Sequence, residues 1–178
     1  MNNPQESVDR FKSSDYRTIE QTMEKLSGGT RRLAAQLTTS ASFDSLWNVL
    51  TDYDRLNLYI PNLLSSKKIY QKNNNVHLKQ VGAQDFLGMK FSAEVTIDLF
   101  EDKALGLLKF NLIKGDFRKF EGSWKIQNIK NTSKNSLIYD LTVQGCQWMP
   151  IGMIEKRLKK DLSENLIAVD KQAKFSTK

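Results

Sequence analysis

The sequence predicts an α+β fold in which a curved antiparallel sheet wraps around a long carboxy-terminal helix. Three observations support this prediction. Several central segments alternate apolar and polar residues, the last segment carries an apolar stripe at helical spacing, and the run 115–124 (GDFRKFEGSW) joins two of the alternating segments. Alternation with a period of two is typical of a sheet with one buried face, and a stripe with a period of 3.6 is typical of the helix that covers it.

Seven segments have the composition and alternation of strands. In the clearest one, 91–99, Phe91, Val95 and Ile97 fall on one face, whereas Glu94 and Asp98 fall on the other. One face is therefore predicted to be buried and the other solvated. A glycine inside the sixth segment, Gly122, suggests a bend or the close approach of another element. The predicted strands are 31–39, 66–71, 76–83, 91–99, 106–114, 119–129 and 136–144.

Two short helices are expected after the first strand. Ser42 is a suitable N-cap for the first helix, whose apolar residues share one stripe. The second helix begins near Asp52 and ends before Pro61, because the residue before a proline avoids helical geometry. The apolar residues of the two helices are Phe43, Leu46, Trp47 and Leu50, followed by Leu56, Tyr59 and Ile60.

The terminal helix is predicted to begin near Met149 and Pro150, since proline is favoured in a first helical turn. Its apolar stripe is predicted to pack on the sheet, and a membrane-surface helix is the alternative. The stripe consists of Ile151, Ile154, Leu158, Leu162, Leu166 and Val169. The charged residues placed mostly away from it are Lys156, Arg157, Lys159, Lys160 and Glu164.

The amino-terminal part of the chain is predicted to be an extension of the domain. Residues 1–12 are polar and expected to be loose, and Gly28 and Gly29 form a short linker. Three- and four-residue spacings predict a helix over 14–26, through Tyr16, Ile19, Met23 and Leu26. The predicted organisation is a partly helical extension (1–30), one domain (31–172) and a tail (173–178).

Composition excludes several classes of function. The 178 residues suit one domain, and they include one cysteine, Cys146, and one histidine, His77. No intrachain disulfide can form, and a histidine-based zinc site is disfavoured. The sequence contains no phosphate-binding loop, dinucleotide fingerprint or metal-ligand pattern, so no cofactor is expected. It also shows neither an apolar run long enough to span a bilayer nor a secretory signal, so a cytoplasmic location is expected.

Three stretches carry a resemblance to a known family. They are 50–56 (LTDYDRL), 60–62 (IPN) and 115–124, set in the element order β-α-α-β-β-β-β-β-β-α. With this order, the chain over residues 31–172 resembles the START-like (SRPBCC) superfamily. The most similar branch is the polyketide cyclase/dehydrase and lipid-transport family, including its coenzyme Q-binding and ribosome-association toxin members. The resemblance implies the helix-grip fold and a cavity between the sheet and the terminal helix.

The first functional hypothesis is therefore binding of a hydrophobic small molecule, such as a lipid, an isoprenoid quinone or a polyketide-like compound. Sheet residues would line the cavity, the terminal helix would form a wall, and two residues after the second helix would lie at the mouth. The predicted ligand-binding residues are Tyr59, Ile60, Val95, Ile97, Phe110, Leu112, Trp124, Tyr139, Ile154 and Leu158.

Catalysis, which some members of the superfamily carry out, has less support in the sequence. The residues predicted to face inward are nearly all apolar, with Tyr139 and Gln80 as the exceptions. A buried tyrosine usually satisfies only its own hydroxyl. His77 is expected at the surface, and the acidic and basic residues of 116–121 are expected to form exposed ion pairs. No catalytic residue is assigned.

The second functional hypothesis is an interaction protein that binds the ribosome, RNA or an anionic membrane surface. The net charge of +7 favours an anionic partner, although a solvated basic surface gives the same count. The basic residues considered are Arg118, Lys119, Lys125, Lys156, Arg157, Lys159 and Lys160.

Overall fold

A computed structural model shows one antiparallel sheet closed on one side by a long helix. It describes residues 7–12, 18–86, 89–147, 149 and 151–175, with the side chains of 7–18, 84–90 and 153 outside the description. Within these residues the strands are β1 Ser7–Lys12, β2 Thr18–Lys25, β3 Arg31–Thr39, β4 Leu63–Lys72, β5 Asn75–Phe86, β6 Met89–Asp102, β7 Leu107–Gly115, β8 Phe117–Asn128 and β9 Asn135–Gly145. Their order in the sheet is β1-β2-β3-β9-β8-β7-β6-β5-β4.

The two short helices after β3 and the terminal helix lie where the sequence places them. Helix α1 is Phe43–Thr51, and the Ser42 side chain accepts a hydrogen bond from Ser45 N at 3.1 Å, which caps its first turn. A 3-10 helix, Tyr53–Leu58, follows directly. Helix α2, Ile151–Phe175, crosses the inner face of the sheet. The predicted α+β class and helix-grip architecture are confirmed. None of the described helices is long and apolar enough to cross a membrane.

The amino-terminal segment differs from the prediction. Residues 18–25, predicted as part of a helix, form strand β2 and pair with β3, with Ile19 opposite Leu37. Residues 7–12, expected to be loose, form β1 at the sheet edge. The four-residue spacing of Ile19 and Met23 fits a strand as well as a helix, and buried Gln21 between them shows the period of two. Residues 13–17 lie outside the described part.

Gln21 is a polar residue on the buried inner face of β2, and its hydrogen bonds explain why it fits there. Its Nε2 donates to the backbone oxygen of Lys159 at 3.0 Å, and its Oε1 accepts from Ser163 Oγ at 3.3 Å. Both of these partners belong to α2. The side chain therefore ties the added strand to the helix, and its burial is compensated by hydrogen bonds.

The two halves of α2 have different surroundings. Its second half packs against β3 and α1, with Leu166 and Val169 fully buried. Asp170 is also fully buried there, where it accepts hydrogen bonds from Thr39 Oγ1 and from Lys174 Nζ. The helix continues to Phe175, so residues 173–175 of the predicted tail are helical, while 176–178 lie outside the described residues. The first half of α2 faces the cavity.

Gly122 is a point of close approach, as its position inside a regular strand suggests. A Cβ atom at this position would contact the backbone oxygen of Asp140 on β9, and Phe110 Cζ would lie 2.9 Å from it. The missing side chain lets β7, β8 and β9 come together under the aromatic residues of the sheet.

Candidate ligand cavity

A cavity of about 280 Å³ lies between the inner face of the sheet and the first half of α2. Its walls come from β5 to β9, from the 3-10 helix and the loop after it, and from α2. Most of the lining residues are apolar. Those on the sheet include Leu78, Phe91, Ala93, Val95, Ile97, Leu99, Leu108, Phe110, Phe117, Phe120, Trp124, Tyr139 and Leu141.

Large aromatic side chains limit the size of the cavity. The rings of Trp124 and Tyr139 are stacked, with centroids 4.0 Å apart and planes at 11°. Phe110 lies 5.6 Å from Phe120, and Phe117 lies 5.5 Å from Phe120, between ring centroids. The volume therefore falls near the lower end of the range for small-molecule pockets, about 300–1,000 Å³. The cavity is narrow, but it is not filled by side chains.

One wall of the cavity carries polar groups. Arg157, Asp161 and Asn165 lie four residues apart on α2, so they share one edge of the helix, and all three line the cavity. Arg157 Nε donates to Asp161 Oδ2 at 3.3 Å and lies 3.1 Å from Oδ1. The side chains of the pair are mostly buried, with exposures of 21% and 17%.

The loop before β4 closes part of the cavity against this polar edge. Asn62, at the positive φ of 63°, donates through Nδ2 to Asp161 Oδ1 at 3.4 Å. Positive φ is tolerated by asparagine better than by most residues. On the facing sheet, Gln80 donates through Nε2 to Ser66 Oγ at 3.2 Å. Asn62 and Gln80 both line the cavity, and both are held by a hydrogen bond to protein.

Burial changes the protonation behaviour of two cavity groups. Burial raises the pKa of Asp161 to about 6, although the Arg157 charge and hydrogen bond act in the opposite direction. Burial, together with the negative charge of Asp161, raises the pKa of Tyr139 far above its ordinary range. Tyr139 therefore remains a neutral phenol at any physiological pH.

Eight of the ten residues predicted as ligand contacts lie on the cavity wall: Ile60, Val95, Ile97, Phe110, Trp124, Tyr139, Ile154 and Leu158. Tyr59 and Leu112 do not. The Tyr59 hydroxyl donates to the backbone oxygen of Val49 at 2.6 Å, which turns the ring towards α1. Leu112 is half-buried against the core, next to an irregularity in the pairing of β6 and β7. Ligand contact by the eight wall residues remains a prediction.

The polar edge of α2 was missed by the sequence analysis. Arg157 was grouped with the solvated basic residues, and Asp161 and Asn165 were not considered. A signal was present, because 157, 161 and 165 immediately precede the stripe residues 158, 162 and 166. Residues beside an apolar stripe lie at the border of the buried face, where polar side chains can reach into a cavity.

The other titratable groups considered from the sequence lie in structural contacts. His77 packs against Tyr70 with ring centroids 4.7 Å apart and planes tilted by 34°, and its Nε2 lies 3.4 Å from Asp98 Oδ1. Asp116 Oδ2 accepts from the backbone of Glu94 at 2.7 Å. None of these residues lines the cavity. Among the described residues, no group of three or more His, Cys, Asp or Glu residues could hold a metal ion.

The predicted basic surface is divided among local contacts. Lys119 forms an ion pair with Glu121 at 2.9 Å, and Lys160 forms one with Glu164 at 3.6 Å. Arg157 belongs to the cavity wall and not to the outer surface. Exposed pairs of this kind contribute little to stability, and they reduce the charge available to a polyanion.

Comparison with protein families gives one match that covers most of the chain. The family model described as polyketide cyclase / dehydrase and lipid transport matches residues 39–170. The matched region begins at the last residue of β3 and ends inside α2, so it contains nearly all the elements that form the cavity. Among curated proteins, none matches the chain.

Solved structures with the same fold have very different sequences. A STAR-related lipid transfer protein from Xanthomonas axonopodis is 11% identical, with a TM-score of 0.78, and the match covers 94% of this chain and 98% of that one. The Zhui aromatase/cyclase from a Streptomyces species is 15% identical, with a TM-score of 0.71 and coverages of 84% and 96%. Human StAR-related lipid transfer protein 5 is 6% identical, with a TM-score of 0.74 and coverages of 96% and 88%. At these identities the similarity shows the fold alone.

Proposed function

Since the chain belongs to the polyketide cyclase/dehydrase and lipid transport family, we propose that it binds and carries a hydrophobic small molecule in the cavity under α2. The observation that carries this proposal is the cavity itself, with about 280 Å³ of space behind walls that are mainly apolar. The similar structures that are described as lipid transfer proteins support the same function.

The energetic argument is that such a space is costly when it is empty. At about 24 cal/mol per Å³, a dry void of 280 Å³ would cost about 7 kcal/mol. A whole domain is stable by about 5–15 kcal/mol. Water is a poor substitute where the wall offers few polar partners, because a buried water needs several hydrogen bonds. A guest with an apolar body removes the void along the apolar walls.

Binding through the basic surface has weaker support. Lys119 and Lys160 are engaged with acidic neighbours, and Arg157 faces the cavity. Catalysis has less support, because the charged residues among the described cavity lining are Arg157 and Asp161, which form an ion pair with each other. We therefore retain ligand binding as the proposal.

The test is titration of the purified protein with N-phenyl-1-naphthylamine, a neutral apolar dye that fluoresces in apolar sites. Val95→Trp and Ala93→Phe place bulk on the cavity wall and should weaken dye binding at least about tenfold, because they fill the space. Ile113→Trp is the matched control, since Ile113 lies on β7 with 47% exposure, away from the cavity.

Thermal unfolding of each variant shows whether it is folded before its dye binding is compared. Loss of binding in the two wall variants, with binding retained in Ile113→Trp, is the expected result. Equal dye binding by folded wall variants and wild type would show that the cavity is not the binding site. No dye binding by the wild type would refute the proposed function as a whole.

A further inference from the structure

We propose that Arg157, Asp161 and Asn165 form a polar subsite that selects a neutral ligand with a hydroxyl group at one end. This inference rests on the proposed function and defines the class of ligand: an amphiphile whose apolar body lies along the sheet and whose hydroxyl meets α2. An aliphatic alcohol, a sterol-like alcohol and a phenolic compound all have this chemistry.

The first argument is the position of the three residues. They occupy one edge of α2 and line the same cavity as the aromatic residues of β7, β8 and β9. A bound molecule would therefore contact apolar side chains over most of its surface and polar side chains along one edge. Pockets with a few placed polar groups use them to fix the orientation of the ligand.

The second argument is charge. Among the described residues that line the cavity, Arg157 and Asp161 are the charged ones, and they neutralise each other across 3.1 Å. A ligand carboxylate or phosphate would add a negative charge beside Asp161, and a ligand ammonium would add a positive charge beside Arg157. Either charge would lose its hydration without gaining an uncommitted counter-ion, which is unfavourable at a buried site. A neutral end group avoids this penalty.

The third argument is the need for a hydrogen-bond donor. Asn165 Oδ1 is buried and has no hydrogen-bond partner among the described residues. The terminal torsion of asparagine is soft, so a small rotation can turn this acceptor towards a guest in the cavity. A hydroxyl group can donate to it, whereas an ether or an ester cannot. An unpaired buried acceptor is unfavourable, so satisfying it contributes to binding.

Tyr139 completes the polar edge from the side of the sheet. Its ring lies against Trp124, and its raised pKa keeps the phenol protonated next to the Asp161 charge. The phenol can both donate and accept, as a ligand hydroxyl can. A hydroxyl placed between α2 and β9 therefore has groups of either type within the same part of the cavity.

The test compares three probes built on a ten-carbon chain as competitors of the dye: decanol, decanoate and decyl methyl ether, at a pH where decanoate is ionised. The wild type should bind decanol about tenfold more tightly than the ether, which corresponds to one satisfied hydrogen bond. It should bind decanoate more weakly than decanol. Equal affinities for decanol and ether, or tighter binding of decanoate, would overturn the proposal.

Variants show whether these residues cause the preference. Asn165→Leu and the double variant Arg157→Leu/Asp161→Leu should lose most of the preference for decanol over the ether, which is a ratio of two affinities measured in the same variant. The double variant Lys160→Leu/Glu164→Leu is the matched control, because it removes an exposed pair with the same spacing on α2. A preference that persists in the cavity variants, or is lost in the control, contradicts the subsite.

Different results would refute ligand binding in the cavity and the polar subsite. If the wild type binds neither the dye nor any of the alkyl probes, the proposed function fails and this inference fails with it. If the dye binds in the cavity but the probes are not distinguished, ligand binding stands and the polar subsite is refuted.

Discussion

Replacing Asp161 by asparagine should make the protein more stable at neutral pH than the wild type, even though it breaks an ion pair. Asp161 is buried at the cavity wall, and burial raises its pKa from 3.8 to about 6. The folded protein therefore holds the proton more tightly than the unfolded chain does. Between pH 4 and pH 6, as a rough window, the native state binds more protons, so stability falls as the pH rises.

The magnitude follows from the two pKa values. Each pKa unit is about 1.4 kcal/mol, so the rise from 3.8 to about 6 gives at most about 3 kcal/mol. Below this window the carboxyl group is protonated in both states, and the wild type and Asp161→Asn should have similar stabilities. Above it the wild type should lose up to this amount relative to the variant, because asparagine does not ionise.

The assay is urea unfolding of both proteins at about pH 3.5 and about pH 7.5, with the difference in free energy of unfolding compared between the two conditions. Glu121→Gln is the control, because Glu121 pairs with Lys119 at the surface of β8, away from the cavity. A difference between wild type and Asp161→Asn that does not change with pH would refute the reasoning. So would a change of the opposite sign, which would mean that the ion pair outweighs burial.

Further predictions concern packing and buried hydrogen bonds. Gly122→Ala should destabilise the protein by about 1–3 kcal/mol, because its Cβ would meet Asp140 O and Phe110. Gly152→Ala, whose Cβ would meet nothing within 4 Å, should stabilise by about 0.5–1 kcal/mol in the same denaturation assay. A Gly122→Ala variant as stable as wild type would contradict the close approach. Asp170→Ala should lower the free energy of unfolding by about 3 kcal/mol, because it removes the carboxylate that accepts hydrogen bonds from Thr39 Oγ1 and Lys174 Nζ. An effect no larger than that of Lys174→Ala would show that the buried carboxylate contributes little.

The sheet could be predicted from the sequence wherever one face is buried and the other is wet. On β6, Val95 and Ile97 are buried and Glu94 lies on the opposite face beside Lys79, as alternation predicts. Thr96, which alternation places on the wet face, is also buried, at an irregularity in the pairing of β6 and β7. On β2 the same rule failed, because Gln21 occupies a buried position. Its two hydrogen bonds to α2 make a polar residue acceptable there, and those partners lie more than a hundred residues away in the sequence.

The apolar walls of the cavity could be predicted from the sequence, whereas its polar edge on α2 could not. Inward-facing residues such as Phe110 and Trp124 follow from strand alternation, so they could be assigned before the structure was known. The burial of Arg157 and Asp161 depends on Asn62 and on the space that the sheet leaves under α2. The spacing of residues along α2 does not predict that space, because a charged residue beside an apolar stripe usually reaches solvent.

Native mass spectrometry of gently purified protein, with organic extraction of any bound molecule, tests the central claim most directly. The account predicts a discrete apolar adduct on the wild type and on Ile113→Trp, and little or none on folded Val95→Trp. An adduct retained equally by Val95→Trp would contradict the assignment of the cavity. A bare wild-type protein that also fails to take up N-phenyl-1-naphthylamine would contradict hydrophobic-ligand binding itself.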